Sequence, residues 1–160
     1  MAAVKSTLEG KKAPAIKLLN QDEEQVELKD LLGSYVVIFF YPKDMTPGCT
    51  TEACSFQDNY RKLQNMGVEI LGISCDDTSR HRKFADKYKF KYDLLADTEQ
   101  KVVQKYGVWV EKNMYGKKYM GIRRDSFLVD PKGKIVKHYQ KVKPAEHVAQ
   151  VIADVKELQG

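Results

Sequence analysis

Unbroken apolar runs along this chain alternate with stretches in which apolar residues recur every three or four positions. Tyr35-Val36-Val37-Ile38-Phe39-Phe40-Tyr41 is β-branched and aromatic throughout, as expected of a strand buried on both faces of a sheet. It ends at Pro42. After a short turn, Ala53, Phe56, Tyr60 and Leu63 fall at helical spacing and predict a helix running to about Gly67. Val68 to Ser74 reads as a second buried strand, and the polar stretch from about Ser79 to Tyr88 as a helix that packs through Phe84 and Tyr88. Strand, helix, strand, helix argues for an α/β sheet with right-handed crossovers.

The second half predicts a short strand at Tyr92 to Ala96 and a short helix from Thr98 to Tyr106 that Gly107 ends. Between Val108 and Met120 a hairpin around Lys112 to Gly116 is expected rather than a helix. Ser126 to Asp130 and Ile135 to Tyr139 flank Pro131-Lys132-Gly133-Lys134, a turn suited to an antiparallel hairpin. After Pro144 the positions Val148, Val151, Ile152, Val155 and Leu158 form one helical stripe, expected to cap a face of the sheet. Near the start, Ala15 to Leu19 and Gln25 to Leu28 form a small hairpin across Asn20-Gln21-Asp22. With 160 residues, no repeat and no linker, one compact domain over 1–160 is expected.

Composition narrows the function classes. The longest apolar run, seven residues, is far short of the roughly 20 that cross a bilayer, so no membrane association is expected. Residues 1–15 carry Lys5, Glu9, Lys11 and Lys12 without the apolar stretch of a secretory signal. Lysine and arginine exceed aspartate and glutamate by five, but the basic residues are dispersed. Neither zinc-finger spacing nor an aromatic stacking motif turns that charge into nucleic-acid recognition, so no nucleic-acid partner is expected. Three cysteines, Cys49, Cys54 and Cys75, are too few and of the wrong parity for a secreted disulfide scaffold. A reducing compartment follows, the cytoplasm or an organelle after transit-peptide removal. His81, His138 and His147 lack metal-ligand spacing, and Asp76-Asp77 reads as a helix-starting turn, so neither a metal nor a bound cofactor is expected.

The chemistry concentrates at Tyr41-Pro42-Lys43-Asp44-Met45-Thr46-Pro47-Gly48-Cys49. With Thr46 as N-cap and Pro47 at the first helical position, Cys49 is the third helical residue. Its sulfur then faces the positive end of the helix, where unpaired N–H groups and the macrodipole favour a thiolate. The competing reading is a buried structural cysteine. Cys54 lies five residues on. In a regular helix that puts the two Cα atoms roughly 9 Å apart, whereas a disulfide needs about 7 Å or less. Bridging them requires the first turns of the helix to unwind, which suits partners that meet after a chemical event and differs from the C-x-x-C of thioredoxins.

These residues resemble the peroxiredoxins. Pro42, Thr46 and Cys49 reproduce the signature P-x-x-x-T-x-x-C, and Cys49-Thr50-Thr51-Glu52-Ala53-Cys54 is similar to the C-x-x-x-x-C of the peroxiredoxin Q, or bacterioferritin comigratory protein, group. The likeness continues through Phe39 to Pro42, Tyr106-Gly107-Val108-Trp109, Gly121-Ile122-Arg123-Arg124 and Ser126 to Asp130, nearly the whole chain. It implies an α/β, thioredoxin-like fold with a central mixed sheet flanked by helices. It also implies a monomeric peroxidase acting on hydrogen peroxide and organic hydroperoxides without a cofactor. Cys49 would be the peroxidatic cysteine and pass through a sulfenic acid. Cys54 would be the resolving cysteine, forming a Cys49–Cys54 disulfide that thioredoxin or a similar dithiol carrier reduces. Negative charge spreads over sulfur and two oxygens in the transition state, which calls for a fixed cation and aligned donors. Arg124 would supply the cation, Thr46 a hydroxyl that also accepts from backbone, and the Cys49 N–H a further donor, with Pro42 shielding the site. Glu52 matches the group as well, without an assigned role.

Alternatives stay open on the residues alone. Arg123 rivals Arg124. Cys54 could be an exposed bystander, with Cys75 or a small-molecule thiol resolving; otherwise Cys75 is a semi-buried free thiol. A general disulfide oxidoreductase of the same fold is disfavoured by the missing C-x-x-C and by the absence of Pro immediately before Ser126. A non-enzymatic reading makes the chain a basic stress protein, a chaperone or nucleic-acid binder whose cysteines sense redox state passively.

Overall fold

The computed structural model describes residues 6–160, so Lys5 and the rest of 1–5, part of the stretch read for a secretory signal, lie outside the described residues. Strands β1 (Lys17–Leu19) and β2 (Gln25–Glu27) form the N-terminal hairpin, followed by a 3-10 turn over Leu28–Leu31. The central strand β3 is Tyr35–Phe40, and helices α1 (Pro47–Asp58) and α2 (Tyr60–Asn65) carry the chain to β4 (Val68–Ser74). Next come α3 (Thr78–Tyr88), β5 (Asp93–Ala96) and the five-residue α4 (Lys101–Lys105). The hairpin β6 (Trp109–Met114) and β7 (Lys117–Ile122) is followed by β8 (Ser126–Val129), β9 (Ile135–Tyr139) and α5 (His147–Gln159).

Seven strands make one mixed sheet in the order β2-β1-β5-β4-β3-β8-β9. β3, β4 and β5 run parallel, as their helical crossovers require, while β1 and β8 join antiparallel at either side. Side chains alternate along β3, so Val37, Phe39 and Tyr41 enter one core and Val36, Ile38 and Phe40 the other. The first core holds Cys49, Ala53 and Phe56 of α1, Phe84 of α3 and Val151 of α5. The second holds Ile16, Leu28, Val102, Val103 and Tyr106. Gly72 of β4 is needed for this packing: a Cβ there would lie 2.7 Å from the Phe39 ring and 2.9 Å from Leu94.

Three expectations are corrected in detail. The helix after the motif does not run unbroken to Gly67. It breaks at Asn59, whose side-chain amide donates to the Ser55 carbonyl (2.9 Å) and whose backbone leaves helical geometry, local competition typical of asparagine. The helix expected from Thr98 starts only at Lys101, because Gln100 takes a positive φ of 57° and the Asp97 carboxylate accepts from the N–H groups of Lys101 and Val103. Leu158 is 42% exposed, since the last turn of α5 projects past the core. The expected hairpin at 108–120 is present as a two-stranded sheet of its own, turning through Tyr115 and Gly116 at positive φ as the twist of a tight hairpin demands.

Candidate active site

The chain leaves β3 at Phe40 and, after Tyr41, runs through the loop Pro42 to Thr46 that delivers it to α1. Thr46 is the N-cap, extended at φ −81° and ψ 154°, and Pro47 is the first helical residue. The first rung of the helix runs from the Thr50 N–H to the Thr46 carbonyl (2.8 Å), which leaves the N–H groups of Gly48 and Cys49 without helical partners. Cys49 is therefore the third helical residue, as expected from its spacing. The Thr46 hydroxyl departs from expectation. It donates to the Lys43 carbonyl (2.9 Å) and accepts nothing from α1, because the turn through Met45, at φ 65°, folds Lys43 beneath it.

Cys49 is fully buried and Arg124 Nη2 lies 3.4 Å from its sulfur. The other arm of the guanidinium, Nη1, donates to Glu52 Oε1 at 3.0 Å, and Glu52 sits one turn after Cys49 on α1. The two adjacent arginines go to different partners. Neighbours in an extended segment point to opposite sides: Arg124 faces Cys49, whereas Arg123 forms a two-pronged pair with the buried Asp125 (2.8 and 2.7 Å). Backbone bonds stitch this segment from both sides, Arg123 N–H to Val108 O and Val142 N–H to Arg124 O, each 2.8 Å. A Cβ on Gly48 would lie 3.0 Å from Arg124 Nη2, so glycine there leaves the guanidinium room.

Burial works against the charge of Arg124, but Cys49 and Glu52 outweigh it and push its pKa up. Glu52 answers in the other sense. Burial raises its carboxyl to about 7 in spite of the opposing pull of Arg124, and its second oxygen is buried without a hydrogen-bond partner. A protonated Glu52 leaves the arginine charge to the sulfur. Lys112 of β6 adds a second cation nearby: burial and the Arg124 charge hold its ammonium below the usual range while Cys49 pulls it up.

The raised Glu52 pKa makes a stability prediction. A carboxyl that titrates higher in the folded than in the unfolded chain stabilises fully below its unfolded pKa and loses that contribution as pH rises toward 7. The size is roughly 3 kcal/mol from the linkage relation. Glu52→Gln should therefore gain on the wild type steadily between about pH 4.5 and 7.5 in urea unfolding, and run parallel to it below. A constant difference across that range would remove Glu52 as a buried titrating group.

The family model of the AhpC/TSA family matches residues 9–138. The chain belongs to that family. Within it the chain is a peroxiredoxin of the peroxiredoxin Q, or bacterioferritin comigratory protein, group, and an oxidoreductase that works by cysteine chemistry. It is 43% identical over 149 residues to peroxiredoxin Bcp of Bacillus subtilis (strain 168), covering 93% of this chain and 95% of the relative. Against the putative peroxiredoxin bcp of Coxiella burnetii it is 47% identical over 143 residues, 89% and 95% of the two chains. Among solved structures, peroxiredoxin Q of Xanthomonas campestris superposes with a TM-score of 0.84 at 39% identity, over 89% of this chain and 90% of that one. The bacterioferritin comigratory protein of the same organism, studied for alkyl peroxide reduction activity through trapped intermediate and ligand complexes, gives 0.88 at 35% identity over 98% and 100%. The thioredoxin-like, mixed-sheet α/β fold expected from the sequence is thus the fold of this peroxiredoxin.

Its three cysteines are all free. Cys54 is partly exposed on α1 and packs at the margin of the core that holds Cys49, with its thiol pushed up by burial and by Asp58. Cys75 packs against the core on the opposite face of the sheet, and burial, Asp97 and Asp76 push it up to about 12. Pro42 is half-buried at the head of the loop. Among the described residues no group of three or more His, Cys, Asp or Glu is placed to hold a metal, and no helix is long and apolar enough to cross a membrane.

Sequence reasoning passed over the underside of the loop. Asp44, between Pro42 and Thr46, is buried and bonded to Tyr41 and to His81. The signal was present in the spacing: His81, Phe84, Ala85 and Tyr88 share one helical face, so His81 had to enter the core with the apolar residues.

Proposed function

We propose that Cys49 is the peroxidatic and Cys54 the resolving cysteine of a monomeric, single-domain peroxidase that reduces hydrogen peroxide and organic hydroperoxides. The observation that carries this reading is the guanidinium of Arg124 at 3.4 Å from a buried cysteine sulfur at a helix N-terminus. The Cys49 thiolate attacks the outer oxygen of the peroxide. A sulfur–oxygen bond forms, the oxygen–oxygen bond breaks, and the alkoxide or hydroxide leaves and takes up a proton. Sulfur is oxidised by two electrons to the sulfenic acid. Arg124, the free N–H of Cys49 and the Thr46 hydroxyl, which turns from Lys43 to do so, stabilise the charge as it spreads, and Pro42 keeps water out. Cys54 then attacks the sulfenate sulfur, water departs, and the Cys49–Cys54 disulfide is returned to two thiols by thioredoxin or a similar dithiol carrier.

Several features favour Cys54 over Cys75 for resolution. Cys54 shares a helix and a core with Cys49, whereas Cys75 is packed on the other face of the sheet. Unwinding α1 also separates Cys54 from Asp58, one turn on, and so relieves part of what holds it as a thiol. Both sulfurs belong to one chain, so the cycle needs no second subunit. Three cysteines are too few and of the wrong parity for a secreted disulfide framework, which fits a reducing compartment, and the cytoplasm is the location proposed.

Two readouts, one on a variant and one on the wild type, test this. In Cys54→Ser, one equivalent of peroxide should still oxidise Cys49, but sulfenic and then sulfinic acid should accumulate there by mass spectrometry. In the wild type, peroxide should accelerate hydrogen exchange on amides from Cys49 to about Gln57 while β3 stays protected, because the pair cannot meet across about 9 Å of intact helix. A Cys54→Ser protein that recycles at the wild-type rate would transfer the resolving role elsewhere. Unchanged protection with the disulfide quantitatively formed would overturn the unwinding.

A further inference from the structure

Beneath the loop that carries Pro42 and Thr46, three side chains converge on Asp44. Its carboxylate accepts from the Tyr41 hydroxyl (2.5 Å) and pairs with His81 Nδ1 (2.6 Å), and neither Asp44 nor His81 has any exposed side chain. Its backbone N–H donates to Asp76 (2.7 Å), and Asp76 in turn is held by the Ser74 hydroxyl (2.9 Å) and by Arg80 (3.2 Å). We infer that His81, acting through Asp44, is a positioning residue for the peroxide-binding half of the site, holding the Pro42–Thr46 loop in its reactive shape while α1 winds and unwinds. The inference rests on the roles of Cys49 and Cys54 proposed above.

The loop needs holding. Met45 sits at φ 65°, a left-handed conformation that is costly for a non-glycine residue and persists only where the surroundings over-determine it. The anchor supplies that determination from inside the fold. His81 Nε2 lies 2.9 Å from the Leu95 carbonyl, which only accepts, so Nε2 carries a hydrogen. One further proton then lies between His81 Nδ1 and Asp44. Whether it rides on nitrogen or oxygen, the pair is neutral as a whole, which makes complete burial affordable. Such a pair adds little to stability compared with apolar packing, and what it secures is geometry.

The source of the anchors divides the site in two. Tyr41 continues β3, Asp76 follows β4, His81 belongs to α3 and Leu95 to β5. None lies on α1. Melting the first turns of that helix to join Cys49 and Cys54 therefore leaves Asp44 gripped, and the loop is ready when the thiols are restored. Damage to the anchor should fall on capture of peroxide and spare disulfide formation and recycling.

Steady-state kinetics with thioredoxin, thioredoxin reductase and NADPH separate the two. His81→Gln should lower kcat/KM for peroxide by roughly ten- to a hundredfold, the scale of a misplacement of about 1 Å, while kcat at saturating peroxide changes less than about twofold, chemistry after capture being untouched. The double variant Asp44→Asn with His81→Gln leaves no unpaired charge in the core and should show the same split, so that a single variant that folds poorly does not decide the matter. Cys49→Ser, run alongside, isolates the underlying reading: turnover in that protein removes the role of Cys49 itself. With turnover dependent on Cys49, a wild-type kcat/KM in either anchor variant, or an equal fall in kcat and kcat/KM, overturns the positioning role.

Discussion

Cys49→Ser should bring peroxide turnover down to the uncatalysed background. The Cys49 thiol combines both aids that thiolate chemistry uses. It stands at the third position of α1, where the helix leaves N–H groups unpaired, and it lies 3.4 Å from a guanidinium. Serine preserves the size and the helix but offers a hydroxyl with no hydrogen-bonded base to activate it, since Glu52, one turn on, is turned to Arg124. Nor can another thiol step in. Cys54 and Cys75 are both pushed toward the protonated form, by burial and by neighbouring aspartates. The coupled assay reads the loss directly, and mass spectrometry of the peroxide-treated variant should find Cys54 and Cys75 unoxidised. A residual rate above about a thousandth of the wild type, well beyond what a lone hydroxyl or distant thiol supplies, would relocate the nucleophile.

The parts of this molecule that were legible in its sequence are those set by local pattern. A seven-residue apolar run such as Tyr35 to Tyr41 can be satisfied only by burial on both sides, and it became an interior strand of the sheet, flanked by β4 and β8. Thr46-Pro47 announces a helix start from capping chemistry alone, and Cys49 follows by counting. What could not be read depends on which of several partners a side chain takes once the chain has folded. The break at Asn59 turns on a side chain choosing the Ser55 carbonyl over solvent. The Thr46 hydroxyl bonds to Lys43 across a left-handed turn at Met45, next to Asp44, whose partner His81 lies 37 positions away. The same holds for the two adjacent arginines, indistinguishable by type, whose assignment is made by Asp125 below and Cys49 above.

That division between the arginines yields the second large effect. Arg124→Ala should cut the second-order rate with peroxide by two to three decades, about 3 to 4 kcal/mol for a charged donor lost at a developing anion. Arg123→Ala should leave the rate within about threefold and instead lower the unfolding free energy by about 1.5 to 3 kcal/mol, the range for bonds to a buried charge. The reason lies in what each guanidinium leaves behind. Without Arg123, the fully buried Asp125 loses its two-pronged cation and is left with partners such as His138 (2.8 Å) and the Lys141 N–H (3.1 Å), so the fold bears the cost. Without Arg124, Glu52 loses the group that opposes its burial and is driven further toward the neutral acid, which the core tolerates, while the sulfur of Cys49 loses its nearest fixed cation. Arg124→Lys should recover only part of the rate, because a compact ammonium cannot span Glu52 and the sulfur as the planar fork does. Stopped-flow kinetics of Cys49 oxidation beside urea unfolding of each variant measure both axes. Equal losses of rate from Arg123→Ala and Arg124→Ala would mean that the two arginines act as one charged patch, and that the 3.4 Å contact is not what activates the peroxide site.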